Sequence, residues 1–241
     1  MSFLRPGSIV LAVLLAGCAG PVTPPPSDIE IRDRGVVQPS LRIGTNFRPG
    51  AEAPAHLPGG FGFEVGVTHA RGDDTQTLAA GQQPVVLDGR AFAAQQELRH
   101  EFELSFFDVS WRLRHYLHDG PVGIELLAGF ASADLDLAVS SAAQSARESL
   151  DSYGVTLGIG AVWRIRPGTT LQSRLTFYDA FPGDGVDDAR RLEVALVQAL
   201  GRNVALRAGY AAWRMQTDRD DHVSNVDLKF SGPVLGLELA F

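Results

Sequence analysis

Tyr153-Gly154-Val155-Thr156-Leu157-Gly158-Ile159-Gly160-Ala161-Val162-Trp163-Arg164-Ile165 decides the fold. Its odd-numbered residues are all apolar, and its even-numbered ones are glycine, threonine or arginine with one valine between them. Successive side chains of a strand point to opposite faces, so this stretch is a long strand with one oily and one polar face. The same period of two runs outward in both directions. Phe61, Phe63, Val65 and Val67 alternate with Gly62, Glu64, Gly66 and Thr68. Trp111 and Leu113 oppose Arg112 and Arg114, and Ile124 and Leu126 oppose Glu125. Leu171 and Leu175 oppose Gln172 and Arg174, Leu192 and Val194 oppose Arg191 and Glu193, and Leu206 opposes Arg207. Leu235, Leu237, Leu239 and Phe241 oppose Gly236 and Glu238.

Eight strands are predicted, over 61–71, 97–117, 121–137, 149–166, 169–181, 187–200, 203–217 and 223–241. His118-Asp119-Gly120, Arg166-Pro167-Gly168 and Gly201-Arg202-Asn203 read as tight turns. The intervening connections, 72–96, 138–148, 182–186 and 218–222, read as mostly longer loops. Alternating short and long connections are what an outer-membrane barrel shows, with the short side periplasmic. The expected fold is therefore all-β: an eight-stranded antiparallel up-and-down transmembrane β-barrel over 61–241. An even count puts both ends of that barrel on the short-turn side.

A soluble barrel with an apolar lumen shares the period. Three features favour lipid outside. Glycine crowds the polar face, as a narrow interior requires. Trp111 and Trp163 fall towards the short turns and Tyr153, Phe177 and Tyr210 towards the loops, as interfacial girdles do. The strand ending in Phe241 resembles the C-terminal signature by which outer-membrane barrels are recognised for assembly, which implies the barrel-assembly machinery as a partner.

The polar face carries Glu64, Asp108, Arg112, Arg114, Glu125, Arg164, Arg174, Arg191, Glu193, Arg207 and Glu238. An eight-stranded interior holds only side chains, and unpaired charges there cost several kcal/mol each. An arginine–carboxylate network plugging the lumen is expected; an ion pathway is the alternative.

Ahead of the barrel, Leu15-Ala16-Gly17-Cys18 closes a short apolar run, Ser8 to Ala16, that follows Arg5. This is a signal-peptide layout too short to span a bilayer. The Leu-Ala-Gly-Cys run resembles the lipobox of bacterial lipoproteins, which implies cleavage before Cys18 and a lipid on its thiol. Cys18 is the only cysteine of the 241-residue chain, so no disulfide framework exists. Ala19, in place of Asp, implies by the same resemblance sorting to the outer membrane. Residues 1–17 are thus the expected signal peptide, and 18–60, with eight of the 14 prolines, a Pro-rich periplasmic tether. Within it Leu41 to Phe47 alternates and reads as either a short strand or a cover over the barrel mouth.

The net charge of −7 argues against nucleic acid. His222-Val223-Ser224-Asn225 resembles the His-x-Ser-Asn segment of outer-membrane lipid A deacylases, which implies Ser224 as nucleophile and His222 as base. The glutamate expected about a dozen residues on is replaced by Gly236, and Glu238 points into the predicted lumen. A polar strand start is the simpler account of the motif. His115 and His118 sit on opposite faces, and the acidic runs near 73, 184–188 and 218–221 lack EF-hand spacing, so no metal or cofactor is expected. The leading expectation is a monomeric, lipid-anchored barrel with a structural or surface-interaction role, in contact with outer-membrane lipids and lipopolysaccharide. An acyl hydrolase and a narrow pore are the alternatives.

Overall fold

The computed structural model describes residues 26–46, 60–117, 120–183, 185–217 and 223–241. Its strands are β1 (Ile29–Arg34), β2 (Gln38–Asn46), β3 (Gly60–Thr77), β4 (Val85–Leu87), β5 (Arg90–Phe92), β6 (Glu97–Tyr116), β7 (Val122–Ser140), β8 (Ser145–Arg166), β9 (Thr169–Ala180), β10 (Asp188–Ala199), β11 (Val204–Gln216) and β12 (Val226–Ala240). Among the described residues no helix is long and apolar enough to cross a membrane.

β2, β3 and β6 to β12 pair in sequence as neighbours, and β12 returns to β2, closing a nine-stranded barrel. Every pairing in the ring is antiparallel except the closing one, where β2 runs parallel to β12 in the register Val234↔Gln38 to Ala240↔Gly44. β1 continues the line of β2, parallel to β12 over Ile29↔Val226 to Arg34↔Ser231. The two segments change register at Gly35–Val37. There the backbone of Val36 lies so close to Gly232 that a Cβ at 232 would sit 2.1 Å from its carbonyl oxygen, so only glycine fits.

All eight expected strands form, but the eight-strand count is corrected to nine. The added strand is β2, whose sequence lies in the segment read as tether. Its alternation turns Leu41 and Ile43 outward and buries Arg42 and Gly44, and both of its edges find partners. An odd number of strands makes the first and last run in the same direction, which explains the parallel closure. It also corrects the placement of both ends on the short-turn side. Phe241 N–H donates to Gly44 O at the end carrying the short connections between β6 and β7, β8 and β9, and β10 and β11 (the turn end). Ile29 N–H donates to Asn225 O, and Ser27 N–H to Pro84 O, at the opposite, loop end.

The loop-end connections also differ from expectation. β7 and β8 extend to a four-residue turn at 141–144, replacing the loop expected over 138–148. The segment expected as loop 72–96 contains the end of β3 and the hairpin β4–β5. Asp88 and Gly89 at its tip both have positive φ, 47° and 66°, the type I′ geometry that an Asp-Gly pair favours.

The barrel has two storeys of opposite polarity. Towards the turn end, outward residues are apolar and exposed: Phe61 and Val67 on β3, Trp111 and Leu113 on β6, Ile124 and Leu126 on β7, Leu157 and Ile159 on β8, Leu192 and Val194 on β10, Leu235 and Leu237 on β12. Leu157 is 60% exposed. Towards the loop end the faces exchange character. On β6 the outward residues become Glu97, Arg99, Glu101 and Glu103, while Leu98, Phe102, Leu104 and Phe106 are buried inside. On β7 the outward Asp134 and Asp136 flank Leu135, which is 0% exposed. The hairpin closes this storey from above with Val85, Leu87 and Phe92.

Candidate functional site

The turn-end lumen holds a continuous chain of ion pairs. Each member sits at an inward position of a strand with period two, and most of its outward neighbours are apolar. On β7, Glu125 accepts two hydrogen bonds from Arg114 of β6, at 2.6 and 3.0 Å, and two from Arg174 of β9, at 2.6 and 2.9 Å. Arg174 also donates to Glu64 of β3 at 2.6 Å. Glu64 is shared with Arg112 at 3.2 Å and with Arg42 of β2 at 2.8 Å. Arg42 reaches on to Glu193 of β10 at 3.1 Å, which is also held by Arg191 and by Arg207 of β11. Arg207 donates to Gln172 at 2.9 Å and lies 3.6 Å from Glu238 of β12. All ten charged residues are buried.

Eight barrel strands contribute to this chain; β8 passes it with Gly158 and Gly160. A Cβ at 160 would meet Ser173 O at 2.7 Å and lie 3.5 Å from the Glu125 side chain. The glycines leave room for the arms of the network. Shared, bidentate guanidinium–carboxylate pairs are the arrangement that makes buried charge tolerable. Because these side chains cross the lumen, they plug it.

Nine of the eleven expected network residues belong to the chain of pairs. Asp108 also faces the lumen, but lines a cavity of about 20 Å³ above the network, beside Arg42, Arg174 and Arg191, with space for about one water. Arg164 sits at the turn-end rim instead, donating to Gly120 O at 2.6 Å with its guanidinium 3.9 Å over the Tyr116 ring. Arg42 was missed because its alternating segment, Leu41 to Phe47, was assigned by its proline-rich context to the tether rather than to the barrel wall.

An aromatic layer separates the network from the loop-end core. Trp213 stacks on Phe230 at 5.8 Å, and Phe106 packs edge-on against Trp213 and Tyr178 at 5.1 and 5.7 Å. Arg191 joins the two layers, its guanidinium 4.9 Å over Trp213. The Trp213 indole N–H is satisfied by Gln38 Oε1 at 2.9 Å.

The hydrolase candidates fare differently. Ser224 is wholly buried under the hairpin; its Oγ accepts the Val86 N–H at 2.8 Å, and its own N–H donates to Val86 O at 3.1 Å. The hydroxyl needed as nucleophile instead fastens the cap. His222 lies outside the described residues, as do Cys18 and His118. Among the described residues no group of three or more His, Asp or Glu side chains is gathered as a metal ion requires. His100 is buried inside the loop-end storey, and burial pushes its pKa down.

No protein-family model, no curated protein and no solved structure matches this chain.

Proposed function

We propose that this protein is a lipid-anchored outer-membrane β-barrel with a structural or surface-interaction role, its turn-end storey in the bilayer and its lumen closed by the arginine–glutamate network. The exchange of polarity between storeys carries the reading. A soluble barrel would keep its apolar face inside along its whole length. Here the apolar face is outside over one storey and inside over the other. On β8 the outward apolar run, Tyr153 to Ile165, advances about 30 Å along the barrel axis at ordinary strand tilt, enough for a hydrocarbon core. Trp163 near one edge of that run and Tyr153 near the other are exposed where interfacial aromatics belong.

Cys18 is the proposed acylation site, and the strand ending in Phe241 the proposed contact of the assembly machinery. The polar exterior of the loop-end storey would face lipopolysaccharide headgroups and the surroundings. Membrane fractionation tests the proposal: the protein is expected in outer-membrane fractions, resistant to carbonate washing and released only by detergent. Release without detergent would overturn it. Planar-bilayer recording is expected to give no steady conductance, because the plug is built from shared ion pairs.

A further inference from the structure

The two described ends of the barrel wall lie far apart. Ser27 and Ile29 are hydrogen-bonded to Pro84 and Asn225 at the loop end, and Phe241 to Gly44 at the turn end. Ile29 is level with Val226, whereas the outward apolar run of β12 begins at Leu235. Nine strand residues at ordinary rise and tilt separate those levels by about 23 Å along the axis. Adding an apolar belt of about 25 Å puts the turn-side membrane surface nearly 50 Å away, or about twice as far. Cys18 lies nine positions before Ser27, a stretch that fully extended spans at most about 32 Å. That is enough to descend to the loop-side leaflet and too short for the other. A route through the lumen is no shorter and is blocked by the ion-pair chain.

From this topology we infer that the segment preceding β1 emerges on the cell-exterior face together with the loops, while Phe241 faces the periplasm. An acyl chain on that segment therefore dissolves among the lipids of the outer leaflet. This rests on the spanning barrel and acylated Cys18 proposed above. It replaces the expectation that the anchor and both ends are periplasmic: an anchor in the outer leaflet makes the chain a surface lipoprotein that also spans the membrane.

Single cysteines placed on the intact protein test it, since an acylated Cys18 gives no thiol background. Asp28→Cys reports the N-terminal segment, Arg147→Cys the loop end and Arg202→Cys the turn end; all three native residues are exposed. With a membrane-impermeant maleimide on whole cells, Asp28→Cys and Arg147→Cys are expected to label fully. Arg202→Cys is expected to label only after the outer membrane is permeabilised. Shielding of Asp28→Cys while Arg147→Cys labels would overturn the inference and leave the spanning barrel standing. Labelling of Arg202→Cys alone on whole cells would overturn it by reversing the barrel. Release of the protein without detergent would overturn both the inference and the spanning reading. Mass spectrometry of the N-terminal peptide is read separately: an unmodified Cys18 would remove the anchor, whatever the labelling pattern.

Discussion

The two ends of β7 contain similar residues in opposite arrangements. Near the turn end, Ile124, Leu126 and Phe130 point out and Glu125 points in. Near the loop end, Leu135, Leu137 and Val139 point in, and Asp134 and Asp136 point out. The backbone does not change phase; only the chemistry does, between Phe130 and Ala133. On the spanning reading proposed above, one strand thus satisfies two solvents, and hydrophobicity measures which medium lies outside a given level. Burial of apolar area stabilises the loop-end storey as in any water-soluble domain. In the spanning barrel proposed above, the turn-end storey depends on paired charges inside and hydrocarbon outside.

The strongest way to break the contrast is to remove Arg174, which holds both Glu64 and Glu125. Arg174→Ala is expected to cost about 3–5 kcal/mol, since it strips a partner from two buried carboxylates. Denaturant unfolding in detergent would measure it, and a loss under 1 kcal/mol would show that the network is not structural.

Next comes a charge placed at two heights on one face of β8. Leu157→Arg is expected to cost about 2–4 kcal/mol in a bilayer, because the guanidinium meets hydrocarbon near mid-depth. Ser149→Arg, outward on the same strand in the loop-end storey, is expected to stay within about 0.5 kcal/mol. Equal costs would erase the distinction between storeys. Spin labels at 157 and 158 check the faces without reference to stability. The first is expected to be relaxed by oxygen in the bilayer, the second to be shielded from oxygen and from aqueous quenchers.

The smallest expected effect is titration of His100. Its folded pKa lies below the ordinary 6.5, so the unfolded chain takes up the proton first as pH falls. The contribution is fully present above pH 6.5 and declines as pH drops below that value towards the depressed one. His100→Leu should flatten this part of the stability–pH curve. An unchanged slope would place the acid sensitivity elsewhere.

Eight strands were legible because a period of two survives even where composition is ambiguous. The inward placement of Glu64, Arg112, Arg174 and Glu193 followed from their apolar neighbours. The exchange of polarity was legible too, as a change of parity in Phe130-Ala131-Ser132-Ala133-Asp134-Leu135, where apolar residues pass from even to odd positions. It was missed because a barrel read as uniform has one apolar face. The upper part of β3, Arg71 to Thr77, gave no alternation. Its free edge is bridged to β1 by side chains: Asp33 accepts the Asp73 N–H, and Asp74 accepts the Arg32 N–H. Asp88-Gly89 carried an ordinary hairpin signal that was read as loop. β2 could not be assigned from its own residues, since its role depends on a partner at the far end of the chain.

That dependence shapes how the molecule is made. Each pairing from β6 to β12 joins chain neighbours, so those strands can assemble locally and in order. The pairing of β2 with β12 joins residues about 200 positions apart and cannot form until the rest of the sheet exists. Before that step the chain is an open sheet with two bare edges, the form most exposed to mispairing. Closure is therefore the late, slow step of assembly. A factor that holds the final strand would govern the rate at which finished barrels appear.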